Sequence, residues 1–212
     1  MAAVVGLGIV AMTEVRLAED HDLPEVVATL AEAFLEDPVL AFLFGDLARR
    51  PSLLAAFFAN RLAGGRGIDE LVVPAGADGV RACAAVWVPP TGPDGPWPDF
   101  AAVGAANLAL LGEDWMVERL AALAPMMEAH PATPHWYLAF VGTRSAARGR
   151  GLASACISAV TQRCDASGDG AYLESSDPAN VPLYERHGFR VTGEVVIPSG
   201  PVIPLMWRDP LA

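Results

Sequence analysis

Arginines and glycines alternate in one short turn of an otherwise acidic chain. The segment VGTRSAARGRGLASACI (141–157) carries Arg144, Arg148 and Arg150, although the 212-residue chain has a formal net charge of −11. An apolar strand is predicted before this turn and a helix with an apolar face after it. The first N–H groups of a helix lack main-chain partners and carry partial positive charge, and glycine lets a ligand approach the main chain closely. With guanidinium groups added, the turn favours a phosphate or pyrophosphate site over a merely solvated loop.

A tyrosine and a glutamate that could transfer protons lie downstream, in LESSDPANVPLYERHGF (173–189). The Tyr184 hydroxyl, with an ordinary pKa of about 10, is suited to protonating a thiolate that leaves a thioester. Glu174 ends a predicted strand, where α/β proteins commonly place ligand groups, and could accept the proton of an amine or bind a cationic amine. The alternatives are a half-buried aromatic side chain for Tyr184 and a strand-end carboxylate paired with an arginine for Glu174.

Aromatic and acidic side chains elsewhere are candidates for an acceptor pocket. Phe34, Trp87 and Trp136 can line an adaptable apolar pocket, although most residues of this kind belong to the core of a protein. Asp37 could receive a cationic amine. The equally favoured alternative is that Asp37 caps a helix over residues 38–44.

The composition excludes several classes of protein. All 14 basic residues are arginine, so neither a Schiff-base lysine nor the lysine of a P-loop can exist. The isoelectric point of about 4.7 argues against a nucleic-acid partner and favours a cationic one. The apolar runs are shorter than the roughly 18 residues of a membrane span, which argues against a membrane partner.

Cysteine and histidine usage indicates a reducing compartment and no metal. The 3 cysteines are an odd number without CxxC spacing, which argues against a disulfide framework and against a zinc site. The 4 histidines are scattered along the chain without the spacing of metal ligands. We therefore expect a cytoplasmic protein without a metal cofactor.

The pattern of apolar residues predicts a single α/β domain with a mixed sheet over residues 13–212. Residues 1–12 are interpreted as a disordered tail or an upstream extension, with Met1 and Met12 both open as the native start. Their apolar sequence lacks the basic flank of a signal peptide. Asp22 is predicted to cap the first helix. Strands are predicted at 14–18, 69–73, 80–88, 136–141, 171–175, 189–197 and 202–207, and helices at 22–34, 51–63, 100–112, 114–129, 149–165 and 180–187.

Two motifs carry a resemblance to a known family. The run Arg148-Gly149-Arg150-Gly151-Leu152-Ala153 matches the R/Q-x-x-G-x-G/A signature of the GNAT superfamily of acyltransferases, in which this loop grips the pyrophosphate of acetyl-coenzyme A (acetyl-CoA). The downstream segment resembles the family's N-x-x-x-Y-E-x-x-G-F pattern. The residues at its fixed positions are Asn180, Tyr184, Glu185, Gly188 and Phe189.

The resemblance extends to one branch of the superfamily. The segments TEVRLAEDHDLPEVVATLAEAF, WYLAFVG and VIPSGP are similar to the puromycin N-acetyltransferase branch. The similarity covers roughly residues 13–45 and 134–210 and is poor across residues 46–130. Because such enzymes shape their acceptor pockets in this middle region, the resemblance predicts the fold and the donor rather than the acceptor.

The resemblance implies a GNAT fold of the α/β (α+β) class, with a mixed central sheet of about six or seven strands flanked by helices. It implies Tyr184 as the general acid, with Glu174 helping to deprotonate the amine. The donor acetyl-CoA, used as a co-substrate, is expected to contact Val141, Thr143, Arg148, Gly149, Arg150, Gly151, Leu152, Ala153 and Asn180.

The expected activity is transfer of an acetyl group to a primary amine of a small molecule, by direct attack in a ternary complex. An aminonucleoside-like antibiotic is one such acceptor. The alternatives are acetylation of a protein lysine or N-terminal amine, and a non-catalytic module that senses acetyl-CoA. A homodimer is common for this fold, but the sequence does not specify the oligomeric state.

Overall fold

A mixed sheet of seven strands runs through the part of the chain that the computed structural model describes, which is residues 13–65, 70–74, 82–91, 99–111 and 114–211. The strands are β1 (Val15–Leu17), β2 (Glu70–Pro74), β3 (Cys83–Val88), β4 (Trp136–Thr143), β5 (Ala171–Glu174), β6 (Arg190–Val196) and β7 (Val202–Arg208). They lie in the order β1-β2-β3-β4-β5-β7-β6, and β4–β5 is the parallel pair among antiparallel neighbours. The predicted mixed sheet is confirmed. The predicted tail at residues 1–12 lies outside the described residues.

Helices cover both faces of this sheet. No helix in the described ranges is both long enough and apolar enough to cross a membrane. The helices are α1 (Leu23–Ala33), α2 (Pro38–Leu43), α3 (Arg50–Gly64), α4 (Phe100–Leu111), α5 (Asp114–Ala122), α6 (Ala124–Ala129), α7 (Leu152–Ser167) and α8 (Val181–Glu185).

The core lies on both sides of β3, whose six residues are all buried. Side chains alternate along a strand, so the odd-numbered residues of β3 face one side and the even-numbered residues face the other. Cys83, Ala85 and Trp87 pack with the buried face of α7. Ala84 and Val86 pack with α1 and α3. The sheet therefore separates the part of the core that packs against α7 from the part that packs against α1 and α3.

The two parallel strands diverge soon after they meet. Within the described chain, β4 and β5 pair only at Trp136–Ala171 and Tyr137–Tyr172. Beyond these pairs β5 continues alongside β7, while β4 runs on to Thr143 alongside β3. The register of β4 against β3 also shifts by one residue at Ala139, which is a local bulge. The result is a gap between the carboxyl ends of β4 and β5.

Two helical predictions need correction. The helix predicted over residues 114–129 is two helices, α5 and α6, that meet at Leu123. Pro125 lies in the first turn of α6, and a proline inside a continuous helix would lack a hydrogen bond and clash with the preceding turn. Met127 in α6 is 67% exposed, although its spacing from Leu123 would place both on one face of a continuous helix.

Asp22 does not cap α1 as predicted, because its carboxylate is engaged elsewhere. Its side chain makes no capping hydrogen bond to α1. Instead it accepts two hydrogen bonds from the Arg16 guanidinium, at 2.7 and 3.0 Å, and one from the Glu19 N–H at 2.9 Å. This buried carboxylate ties β1 to the 3₁₀ turn before α1.

A glycine allows α1 to lie close to β4, and this close approach can be tested. A Cβ atom added at Gly142 would lie 2.7 Å from the Ala33 Cβ and 3.2 Å from a Leu30 methyl group. We expect Gly142→Ala to destabilise the fold by about 1–3 kcal/mol through overpacking, measured by urea unfolding. Gly104→Ala in α4, where a Cβ meets no described atom within 4 Å, is the control and should not destabilise. Equal effects of the two changes would contradict this account of Gly142.

Candidate active site

A cleft of about 650 Å³ opens at the gap between β4 and β5. Four segments line it: the residues after α1, the end of β4, the loop that leads into α7, and the segment between β5 and α8. The lining residues that carry the chemistry are Phe34, Asp37, Val141, Thr143, Arg148, Gly149, Gly151, Leu152, Ala153, Ser176, Asn180 and Tyr184. The structure thus brings together most of the residues that the two sequence motifs nominated.

The loop before α7 has the geometry of an anion site. Gly149 and Gly151 have φ values of 75° and 78°, which side-chain-bearing residues rarely adopt. Gly151 is the N-cap of α7 and contributes no side chain there. The first N–H groups of α7 belong to residues 152–154, which line the cleft and have no partner within the helix. The cleft therefore meets the positive end of a 16-residue helix.

Contacts to α1 hold this loop in place. The Arg144 guanidinium donates to Thr29 Oγ1 at 2.8 Å and pairs with Glu25 at 3.1 Å. Glu32 Oε1 accepts hydrogen bonds from the N–H and the hydroxyl of Ser145, at 2.9 and 2.8 Å. Both hydrogen bonds lower the pKa of Glu32, and the bond from the main-chain N–H has the larger effect. Arg144 is thus a structural residue that fixes the loop.

The other two arginines differ in position. Arg148 lines the cleft, and its guanidinium donates to the Thr143 carbonyl at 3.3 Å and the Ala33 carbonyl at 3.4 Å. These carbonyl groups orient the guanidinium without neutralising its charge. Arg150, predicted to contact the coenzyme beside Arg148, is exposed and does not line the cleft. Of the three arginines of this turn, Arg148 is therefore the one that lines the cleft.

Tyr184 lies in α8 with 8% of its surface exposed, and it lines the cleft. Its ring packs edge-on against Phe189, with the ring centroids 6.3 Å apart. Burial first, and then the negative charges of Asp37 and Asp177, raise the pKa of the Tyr184 hydroxyl well above its ordinary value. Tyr184 is therefore protonated at neutral pH and can act as a donor in the cleft.

Asp37 caps a helix and also lines the cleft. It is the N-cap of α2, where its Oδ1 accepts the N–H groups of Val39 at 3.0 Å and Leu40 at 2.9 Å. It also lines the cleft, where Oδ2 accepts a hydrogen bond from the Ser176 hydroxyl. Burial raises the pKa of Asp37.

Glu174 does not line the cleft. Its side chain is 6% exposed, and its Oε1 lies 3.4 Å from Nδ1 of His130, not beside an arginine as the alternative interpretation expected. Its neighbour Leu173 packs on the α7 side, so Glu174 and Tyr172 point to the opposite side of the sheet. After burial, the charge of Glu174 is the next cause that raises the pKa values of Tyr137 and Tyr172.

The two tryptophans predicted for the acceptor pocket are core residues. Trp87 is fully buried and Trp136 is 6% exposed, and both pack in the core under α7. Their rings meet edge to face with centroids 6.5 Å apart, and the Arg163 guanidinium lies 4.6 Å above Trp136. The alternative, an ordinary core role, is what the structure shows. Phe34, in contrast, lines the cleft while packing on Phe58 and Phe140.

Sequence reasoning missed several polar residues of the cleft. Ser176 and Asp177 follow β5, and Asp177 caps the 3₁₀ turn Pro178–Asn180 through the Ala179 N–H. Glu36, Ser154 and Arg186 complete this set. Serines and aspartates are common in turns, so their composition gave no signal that they face a ligand. Arg186 lies within the downstream motif of residues 180–189, and this was the sequence signal that could have nominated it as a cleft residue.

Comparisons with known proteins agree with this geometry. The family model described as "Acetyltransferase (GNAT) family" matches residues 98–189. An acetyltransferase from Corynebacterium glutamicum, whose structure is described as histone acetyltransferase HPA2 and related acetyltransferase, is 25% identical, with a TM-score of 0.73 over 93% of this chain and 96% of that chain. Arylalkylamine N-acetyltransferase 2 from Aedes aegypti, 11% identical, shares the fold with a TM-score of 0.58 over 92% of this chain and 98% of that chain.

One sequence relative matches over a short segment. An uncharacterized N-acetyltransferase of Schizosaccharomyces pombe is 43% identical over 54 residues, which are 26% of this chain and 22% of the relative. The chain therefore spans about a fifth of the length of this curated relative. The chain has the GNAT fold, and the model of the GNAT acetyltransferase family matches its residues 98–189.

Proposed function

We propose that this protein is an N-acetyltransferase that transfers the acetyl group of acetyl-CoA to a primary amine of a small molecule. One observation carries the proposal: the anion-binding loop with Arg148 and the buried hydroxyl of Tyr184 line the same cleft. An anion site alone would suit many phosphorylated ligands. An anion site joined to a proton donor through an open gap in the sheet suits a long thioester with a pyrophosphate at one end.

The cleft residues fit such a donor. The Arg148 guanidinium and the N–H groups at the start of α7 would hold the pyrophosphate, because both are positive groups that line the cleft. The end of β4, including Val141 and Thr143, borders the gap where β5 has diverged. Its main-chain groups on that side would bind the amides of the pantetheine arm and polarise the thioester carbonyl. Asn180 would contact the coenzyme at the entrance to α8.

In the chemical step, Tyr184 would act as the general acid. Its hydroxyl is protonated at neutral pH and lines the cleft, so Tyr184 can donate to the sulfur as the carbon–sulfur bond breaks. The acceptor amine must be neutral to attack, which requires a carboxylate that takes its proton. The sequence nominated Glu174, directly or through water, for this role, but Glu174 does not line the cleft, so a carboxylate of the cleft suits the role better.

Acetylation of a protein amine is the second candidate. The Corynebacterium neighbour, whose description includes histone acetyltransferase, is 25% identical over most of the chain. An acidic protein suits either a cationic small amine or a lysine side chain. The puromycin branch, and with it an antibiotic acceptor, is one member of the small-amine class to be tested.

Thiol release from acetyl-CoA, followed with a thiol reagent, tests the proposal. The acceptors are puromycin, aminoglycosides, polyamines, amino acids and short lysine peptides. Release that depends on a small amine supports the proposed activity, and release with lysine peptides alone supports the second candidate. If no acceptor releases thiol while acetyl-CoA still raises the melting temperature, a sensor without catalysis replaces the proposal.

Arg148 and Arg150 give a matched test of the donor site. A hydrogen bond to a charged group contributes about 1.5–3 kcal/mol, so Arg148→Ala should weaken coenzyme A binding about 10- to 100-fold, measured by calorimetry. Arg150→Ala, two positions away and outside the cleft, should change the affinity less than about threefold by the same argument. Neither change should shift the melting temperature much, because both side chains are exposed. Equal weakening by the two variants would contradict the assignment of Arg148.

We further propose that the protein works in a reducing cytoplasm. Its three cysteines, Cys83, Cys156 and Cys164, are all buried free thiols in the structure. A homodimer, common for the fold, is a proposal that sedimentation would test.

A further inference from the structure

The two oxygens of the Asp37 carboxylate have separate tasks. Oδ1 accepts hydrogen bonds from both N–H groups at the start of α2, and these are the hydrogen bonds that cap the helix. Oδ2 takes no part in the cap. It accepts the hydroxyl of Ser176, which lies across the cleft on the segment after β5. One oxygen of Asp37 therefore serves the fold, and the other faces a polar group within the cleft.

Asp37 lies close enough to Tyr184 to influence it. The charge of Asp37 is the largest electrostatic cause, after burial, of the raised pKa of Tyr184. Asp37 itself is half-buried beside the cleft, and burial raises its own pKa. A carboxylate that is more basic than usual, near a protonated tyrosine, has the properties of a proton acceptor paired with a proton donor.

Glu174, the carboxylate that the sequence nominated, is less well placed. It does not line the cleft, and its side chain lies against His130. The geometry thus favours Asp37 as the carboxylate that meets an acceptor next to Tyr184.

We propose that Asp37 Oδ2 binds the ammonium group of the acceptor and takes its proton, and that the Ser176 hydroxyl occupies this position until the acceptor displaces it. This inference rests on the proposed acetyltransferase function and names the acceptor class: a primary amine that arrives as a cation. The site selects charge, because a neutral hydroxyl of the same size would leave the half-buried carboxylate without a counter-charge.

The proton balance of this step is complete. The ammonium gives one proton to Asp37, and the neutral nitrogen attacks the thioester carbonyl carbon. The nitrogen loses a second proton to water as the carbon–nitrogen bond forms. The carbon–sulfur bond breaks, sulfur keeps the electron pair and takes the hydroxyl proton of Tyr184, and Tyr184 regains a proton from water. Ammonium and thioester thus give amide, thiol and one proton, which Asp37 releases to solvent.

Asp37→Asn and Glu174→Gln form the matched pair of variants. Each change replaces a carboxylate with its amide and raises the net charge by the same amount, so non-specific attraction of cations changes equally. Asparagine is as good an N-cap as aspartate, so α2 keeps its cap in Asp37→Asn. Asp37→Ser also keeps a capping side chain without a charge. It shows whether an effect of Asp37→Asn comes from the lost charge or from the new amide group. The melting temperature and the coenzyme A affinity of each variant report an intact fold and donor site.

Two measurements are made with the same probes, spermidine, puromycin and a short lysine peptide. Calorimetry gives the affinity of each amine for the coenzyme A-loaded protein, and thiol release gives kcat/KM. We expect Asp37→Asn to weaken amine binding about tenfold or more and to lower kcat/KM about 100-fold. Glu174→Gln should change both quantities less than about threefold, on the same scale of general-base effects.

Each outcome decides the inference. It is overturned if Glu174→Gln has the larger effect, if both Asp37 variants behave as wild type, or if no probe amine binds the wild-type protein. If amines bind and the Asp37 variants lose that binding, but the wild type releases no thiol, the ammonium site stands and the proposed acetyltransferase function fails.

Discussion

Replacement of Tyr184 by phenylalanine is expected to lower thiol release from acetyl-CoA by about 10²- to 10⁴-fold, the usual contribution of a general acid. The ring of Tyr184 packs on Phe189, and phenylalanine keeps that contact. Only the hydroxyl is lost, so the sulfur would leave without a proton donor. The measurement is kcat/KM for the best acceptor, with the affinity for coenzyme A determined in parallel.

The coenzyme affinity separates chemistry from binding in this experiment. It should fall by no more than about tenfold, because a single neutral hydrogen bond contributes about 0.5–1.5 kcal/mol. Tyr172→Phe is the control, since Tyr172 is a buried tyrosine on β5 that does not line the cleft. A Tyr184→Phe variant with wild-type kcat/KM would remove Tyr184 from the mechanism.

Asp22→Asn is expected to have the largest effect on stability, about 3 kcal/mol, because the change breaks a buried ion pair. Asp22 is fully buried and bonds both nitrogens of the Arg16 fork, whereas an amide cannot accept from both with the same strength. Urea unfolding at neutral pH measures the difference in the free energy of unfolding. Glu194→Gln, which changes an exposed carboxylate on β6, is the control and should have little effect.

The same pair predicts a pH dependence. The hydrogen bonds from Arg16 hold the pKa of Asp22 far below its ordinary value of 3.8. A carboxylate whose pKa is lowered by folding stabilises the protein fully above its unfolded pKa, and this contribution is lost as the pH falls further. The stability difference between wild type and Asp22→Asn should therefore be constant from pH 7 to about pH 5 and shrink below about pH 4. A difference that grew on acidification would contradict this account.

The sequence predicted the positions of helices, strands and motifs better than it predicted which way individual side chains face. Strands, the glycine-arginine loop and the helix after it depend on local patterns, so their positions were predictable. Whether Glu174 or Asp37 faces the cleft depends on which side of the sheet each segment packs, and that is set by distant parts of the chain. Trp87 and Trp136 have the composition of a pocket, but their burial under α7 follows from the strand register.

Asp37 shows why two interpretations of one residue need not compete. Its position before a helix over residues 38–44 indicated a helix cap, and its charge indicated a ligand group. The capping hydrogen bonds occupy one carboxylate oxygen, which leaves the other for the cleft. Ser176 could not be foreseen as its partner, because nothing local in the sequence relates two residues so far apart.

The bond between Asp37 and Ser176 joins residues that are 139 positions apart in the chain. The cleft is likewise built from the segment after α1 and from segments beyond residue 140. The cleft is therefore complete only when these distant segments are folded together. A donor that binds only the complete cleft stabilises the whole domain by mass action. Coenzyme A would then act on this chain as a folding ligand, and its cellular concentration would set how much of the protein survives proteolysis.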